Sequence, residues 1–407
     1  MNNYQYHTLA NGLRIVFRRS ASIVAYSGVY INVGSRNEVD EEEGMAHFIE
    51  HSIFKGTEHR RAYHILNRID GVGGELNAFT TKEETCIYAT SLTQHLARCL
   101  ELFSDVLFHS VFPQKEIEKE KDVVLEEINS YKDSPADLIY DEFEELVFEG
   151  HPLSHNILGS KKNVRRFTPD CLRAFMRRNY TPDRMVVTVV ADVDFAYLIK
   201  LCERYFSAVP DSRPQQSPSA APVFHTFNKT LARRTHQVHA LIGCEAPNLF
   251  DEKKVAFALI NNILGGPAMN SRLNVAVREK YGFCYTIESQ YSPFFDTGLF
   301  YIYAGIEGRS HQQATEVIMQ ELRRLCTTRL TDRQLVSAQR QLVCQTAINN
   351  DSGLNEMQSI GKAFLNYDHV ESLEEMASDI MALSADDLIA VANEYFDPSR
   401  FSFLYYC

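Results

Sequence analysis

Two stretches of this chain match each other in order and spacing, and that match constrains the fold more than any other feature. FTPDCLRAFMRRNYTPDRMVV begins at Phe167, and LSADDLIAVANEYFDPSRFSF begins at Leu383, 216 residues later. The one offset pairs Thr168 with Ser384, Asp170 with Asp386, Leu172 with Leu388, Ala174 with Ala390, Pro182 with Pro398 and Arg184 with Arg400. Each copy reads as a helix capped by a hydroxyl, a proline turn and a β-rich run, MVVTVVADV or FSFLYY. Two divergent copies of one unit predict two domains of one design. The segment AVPDSRPQQSPSAAP, residues 208–222, carries Pro210, Pro214, Pro218 and Pro222 and almost no large apolar side chains. It reads as a linker between domains at 1–207 and 223–407.

The remaining patterns supply strands and helices to both domains. GLRIVFRR alternates Leu13, Ile15 and Phe17 inward, SGVYINVGS follows as a second strand, and AFTTKEETCIYATSL reads as further strand and turn. QHLARCLELFSDVLF and QQATEVIMQELRRLC carry helical periodicity. The predicted class is α+β: two homologous α/β-sandwich domains, each a mixed sheet covered by helices. With 407 residues and 45% hydrophobic content, the chain can bury sizeable cores. No apolar run approaches the ~18 residues of a membrane span, and MNNYQYHTLANGLRIVF lacks the pattern of a signal peptide, so a cytoplasmic protein with no membrane partner is expected. Nine scattered cysteines without a C-x-x-C pair point to reduced thiols. A net charge of -12 argues against nucleic acid as a partner, because phosphate binding needs a basic surface.

Chemistry concentrates in EEEGMAHFIEHSIFKGTEH, residues 41–59. On a helix, His47, Glu50 and His51 project from one face. Asp40 and Glu41 to Glu43 suit the positive end of that helix, and Lys55 and Gly56 the other. Such a face can grip a metal. The repeat offset carries His47–His51 onto Ile263–Pro267, where no histidine or acid occurs, so only the first half has the cluster. A hydrolytic zinc takes three protein ligands and keeps a fourth position for water, so a further ligand must come from elsewhere. EIEKEKDVVLEEINSYKDSP offers Glu120 and Glu127, two helical turns apart, with Val123 and Val124 between them in an apolar stripe. Burying either carboxylate there without a partner is costly. Glu126 points about 100° away from Glu127, toward solvent.

With these residues in view, HFIEH is the inverted zinc motif H-x-x-E-H, and Glu127 follows His51 by 76 residues. The spacing resembles that of the pitrilysin, insulysin and mitochondrial processing peptidase family. So do GMAHFIEHSIFKGT, GGELNAFTTKEETCIYA, EKEKDVVLEEI and residues 264–306, which begin LGGPAMNSRLNVAVREKYGFCY. The resemblance covers essentially the whole chain in order and is nearest to the short-subunit branch with bacterial processing-peptidase-like enzymes. It implies one zinc per chain held by His47, His51 and Glu127, with Glu50 as general base and Glu120 orienting a ligand imidazole. Asn77 and Ala78 match the segment that aligns the substrate backbone, and Arg278 and Tyr285 match an Arg–Tyr pair that reaches the substrate.

The activity implied is that of a zinc metalloendopeptidase acting on unfolded peptides in an enclosed chamber, each chain forming half of a clamshell. The partner implied is a second copy, giving a homodimer in which Tyr285 of one chain serves the His47 site of the other, or a related subunit in a heterodimer. One departure is that only Gly265 and Gly266 precede Pro267, where processing-peptidase partner subunits carry a long glycine-rich loop. That speaks against presequence recognition. A non-catalytic scaffold or peptide-binding subunit of the same fold is the alternative, and an intact Glu50 with a full ligand set argues against it.

Overall fold

The run MVVTVVA at Met185–Ala191 is buried at every position, and a strand of that kind needs cover on both faces. In the computed structural model, which describes residues 4–210 and 221–407, it is the third strand across a six-stranded sheet. The strands of that sheet are β1 (Tyr4–Thr8), β2 (Arg14–Arg19), β3 (Val24–Ile31), β4 (Glu75–Thr80), β5 (Thr85–Leu92) and β6 (Met185–Ala191). Their order is β1-β2-β6-β3-β5-β4, with β2 and β6 parallel and the other neighbours antiparallel.

Helices α1 (Met45–Ser52), α2 (Ala62–Asp70), α3 (Leu96–Phe108), α4 (Gln114–Lys132), α6 (Lys161–Val164), α7 (Pro169–Asn179) and α8 (Phe195–Phe206) belong to the same unit, except for the last residues of α4. They close one face of the sheet over Leu13, Ile15, Phe17, Val187 and Val189. The predicted inward alternation of Leu13, Ile15 and Phe17 is therefore found. Val16 is equally buried, on the opposite face, where Tyr30, Val186 and Val190 meet Met357, Ile360 and Phe364 of α12 (Gly353–Tyr367).

The second unit is built on the same plan. Strands β7 (Asn228–Leu231), β8 (Val238–Glu245), β9 (Cys284–Pro293), β10 (Gly298–Ile306) and β11 (Ser402–Tyr406) lie in the order β7-β11-β8-β10-β9. The β7–β11 pair is parallel and the other pairs antiparallel. This is the first sheet's order without β1. Helices α9 (Lys254–Gly265), α10 (His311–Thr327) and α14 (Ala385–Tyr395) cover one face over Ile242, Phe300 and Ile302. Ile139, Phe143 and Val147 of α5 (Pro135–Val147) cover the other over Leu241, Tyr301 and Leu404. Helix α13 (Leu373–Ala382), a π-helix at Asn274–Lys280 and α11 (Asp332–Asp351), except for its residues 347–351, also belong to this unit. The sequence repeat falls where predicted: α7 and α14 are each followed by a proline turn and then by β6 or β11. The Thr168 and Ser384 hydroxyls accept hydrogen bonds from the amides of Cys171 and Asp387.

The compact units are not the two contiguous halves. Residues 130–154 group with the second unit and 347–372 with the first. The division at 1–207 and 223–407 thus misses an exchange of one helix each way, α5 and α12. The physical reason is that each sheet has two apolar faces, and its own half of the chain covers only one. Of the predicted linker, residues 211–220 lie outside the described residues. No helix among the described residues is long and apolar enough to cross a membrane.

Glycine permits both borrowed helices to approach closely. A Cβ on Gly361 would lie 2.6 Å from the Tyr30 ring, and one on Gly243 would lie 2.8 Å from the Phe143 ring. Gly361→Val should destabilise the first unit by roughly 1–3 kcal/mol through overpacking, read as a lower denaturant midpoint. Gly308→Ala, in open space, should leave it unchanged. Equal midpoints for Gly361→Val and the wild type would mean that α12 does not seat on the sheet this way.

Candidate metal centre

Helix α1 is fixed at its N-terminus by a carboxylate that the sequence reading did not select. Glu38, 2% exposed, accepts hydrogen bonds from the Gly44 amide at 2.9 Å and the Ala46 amide at 2.7 Å, satisfying donors that a helix start leaves open. Burial raises the Glu38 carboxyl above its ordinary value, and the two amides oppose that shift. The acidic run at Asp40–Glu42 forms a short 3-10 turn before the helix. Gly44 has a φ of 91°, and a Cβ there would meet the Gly159 Cα at 2.7 Å, so two backbones touch at the start of α1. Past its end, Thr57, His59 and Arg60 bond to Asp105 of α3 at 2.9, 2.6 and 2.5 Å. With Met45, Ala46, Phe48 and Ile49 in the core, the helix has little freedom to turn.

Helix α4 buries Ile117, Glu120, Val124 and Ile128. That stripe centres on Val124, and Val123, about 100° round the helix, is 51% exposed. The expectation that both valines share the apolar stripe is therefore corrected. Glu127 sits at the stripe's edge, half-buried, and Glu126 is exposed as predicted. The Glu127 Oε2 atom lies 3.8 Å from His47 Nε2 and 3.6 Å from His51 Nε2, and the three ligand atoms all fall within 4.8 Å of one another. Neighbouring ligand atoms around a tetrahedral zinc are about 3.3–3.5 Å apart. Glu127 Oε2 is buried and has no hydrogen-bond partner among the described residues. A carboxylate oxygen aimed between two imidazoles without a donor is a site that a cation would satisfy. The donor set fits zinc.

Surrounding groups prepare these donors. His51 Nδ1 donates to Glu120 Oε1 at 3.0 Å, leaving Nε2 its lone pair for a metal. Lys55 Nζ holds the other Glu120 oxygen at 2.7 Å. Burial raises the Glu120 carboxyl, but the His51 and Lys55 bonds outweigh it and the net shift is downward. Burial lowers the His47 imidazole, with His51 adding to the effect, to about 3, so His47 stays neutral as a ligand must be. Burial also lowers His51, but the Glu120 bond and the charges of Glu127, Glu120 and Glu50 turn the net shift upward. Glu50, half-buried, is raised by burial and by Glu127, against opposition from Thr80 and His51. Lys55, read from the sequence as a helix-end charge, thus acts on Glu120.

The other predicted residues fall in two places. Asn77 and Ala78 lie on β4, the edge strand of the first sheet, with Asn77 exposed. Arg278 and Tyr285 belong to the second unit and not to the one that carries the histidines. They are beside each other, the guanidinium 5.3 Å from the centre of the tyrosine ring, and Tyr285 is 81% exposed.

Comparison with known proteins agrees with this fold and places the chain among zinc protease relatives. Residues 14–161 match the insulinase family, peptidase family M16, and residues 166–342 match the peptidase M16 inactive domain. The chain belongs to peptidase family M16. The uncharacterized zinc protease YmxG of Bacillus subtilis is 34% identical over 96% of this chain and 95% of its own length. An uncharacterized zinc protease of Rickettsia bellii is 31% identical over 98% and 97%. Among solved structures, a protease from Helicobacter pylori matches with a TM-score of 0.91 at 23% identity, over 99% of both chains. A peptidase M16 inactive domain from Pseudomonas fluorescens matches at 0.92 and 19%, over 99% of this chain and 97% of that one. At those identities the structures speak for the fold alone.

Glu120→Gln removes the charge that orients His51. It should weaken zinc binding about 10–100-fold, measured by competition with a chromogenic chelator, while the folded state survives. Unchanged affinity would make Glu120 a packing residue only.

Proposed function

We propose that the chain is a zinc-dependent endopeptidase that cleaves unfolded peptides, with His47, His51 and Glu127 holding one zinc and Glu50 moving the proton. The observation that carries this reading is the convergence of two Nε2 atoms on the unpartnered Glu127 Oε2, with Glu50 next to His51 on the same short helix. Zinc held there supplies Lewis acidity and lowers the pKa of its water to around 7.

Glu50 accepts a proton from the attacking water and delivers one to the departing amine. Its raised pKa brings it nearer neutral pH, where one group serves both steps. Glu120 keeps the His51 ring in register, and Lys55 keeps Glu120 ionised. Strand β4 pairs only with β5 among the described strands, so its outer edge can take an extended peptide through backbone hydrogen bonds, with Asn77 and Ala78 in the pairing segment. In a folded substrate most backbone groups are already paired, so an unfolded peptide pairs there more readily. Arg278 and Tyr285 donate to the carbonyl oxygen where negative charge gathers, and in this proposal they come from a second copy of the chain in a cytoplasmic homodimer. A related subunit could fill the same role.

Glu50→Gln should retain zinc and lose about 10²–10⁴-fold in kcat, checked by metal analysis beside peptide turnover. Mixed with equal Tyr285→Phe chains and allowed to exchange subunits, it should regain about a quarter of wild-type sites, since each mixed dimer carries one intact site. Wild-type turnover by Glu50→Gln would remove Glu50 from the reaction. Verified mixed dimers without recovery would remove the shared site.

A further inference from the structure

The second unit contains a cavity of about 350 Å³ between the last turn of α9, residues 270–272 and one face of α11. Nothing in the proposed reaction uses it. Its lining includes Arg272 and Arg333, several side-chain amides and no acidic residue. Three polar side chains facing it lack hydrogen-bond partners among the described residues. Asn262 is 6% exposed and Ser271 is 4% exposed, yet neither the amide nor the hydroxyl is bonded. Arg272 is half-buried with no ion pair within bonding distance. The polar atoms of these three residues are not sealed from solvent, so an amide, a hydroxyl and a guanidinium without protein partners open onto one cavity, where a single ligand can reach all three.

The charge balance narrows its chemistry. Burial draws the Arg272 guanidinium below its ordinary pKa, with Glu321 opposing and Arg324 adding to the shift. Glu321 is already engaged by Arg324 at 2.5 Å and is not a free counter-ion. Of the two lining cations, Arg333 is exposed and its charge is screened by water, so the half-buried Arg272 balances a single negative charge better than the nearly double charge of a phosphate monoester. The planar fork of an arginine fits the two oxygens of a carboxylate. Asn270 Nδ2 donates to Gln341 Oε1 and Gln334 Oε1 accepts from Thr331, which leaves the amide nitrogens of Gln341 and Gln334 for the adjoining backbone of a peptide.

We propose that this cavity binds a carboxylate carried by a peptide chain, with Arg272 taking its oxygens, Asn262 and Ser271 completing the hydrogen bonds and Arg333 guarding the mouth. The choice of a peptide as bearer rests on the proposed function, but binding here does not require hydrolysis and can fail independently of it.

The test is calorimetry on the full-length, zinc-loaded Glu50→Gln chain with three short peptides. One has a free C-terminus, one is its C-terminal amide, and one is that amide with a single internal glutamate. The free acid should bind at least tenfold more tightly than the amide, and Arg272→Gln should abolish the difference. Arg333→Gln, at an exposed position, should reduce it several-fold with an unchanged melting temperature. Recovery of affinity by the glutamate peptide assigns a side-chain carboxylate as the ligand, and no recovery assigns the terminal one. Equal binding of acid and amide would overturn the proposal. So would a preference that survives both arginine substitutions, or inorganic phosphate competing better than acetate.

Discussion

The candidate site depends on one buried oxygen. Glu127 Oε2 sits between two imidazole nitrogens at 3.8 and 3.6 Å without a donor, and its half-buried carboxylate would be destabilising without a cation nearby. One imidazole, His47, is kept neutral by burial, and the other, His51, is oriented by a carboxylate that a lysine in turn holds. The arrangement makes chemical sense as a set of metal donors, and poor sense as a set of hydrogen bonds.

Holding that oxygen in place requires two helices to keep register over a sheet. Helix α1 is anchored by the Glu38 carboxylate, by the glycine contact at Gly44 and Gly159 and by the Asp105 cluster beyond its end. Helix α4 is anchored by Ile117, Val124 and Ile128. Both lean on a core whose sheet is closed from behind by α12, so a segment some 300 residues further along in the sequence contributes to the unit that carries the histidines. The repeat therefore has a consequence beyond symmetry. Each unit is completed by a helix drawn from the opposite half of the chain.

Much of this was legible in the sequence, for identifiable reasons. The offset between Phe167 and Leu383 marked helix, turn and strand in both units because hydroxyl caps and proline turns are local signals. The His47–His51 spacing and the Glu120–Glu127 interval were visible because helical geometry makes them one-face patterns. What could not be read was long-range. Val123 and Val124 look alike in sequence, and only the angle at which α4 meets the core exposes one and buries the other. Glu38 lies six residues before Gly44 and reaches it through a turn with no helical period. The exchange of α5 and α12 leaves no mark except that strands such as β6 are apolar on both faces, a hint that a second layer must exist without saying where it comes from.

In the proposed function, one zinc held by His47, His51 and Glu127 is required for peptide cleavage. The most direct measurement is to strip the purified chain of metal and follow cleavage of an unstructured peptide while zinc is added stepwise. The expected result is no cleavage at the start, a linear rise and saturation at one zinc per chain, with no rise in His47→Ala. Full cleavage by the metal-free chain, or the same titration curve from His47→Ala, would contradict it.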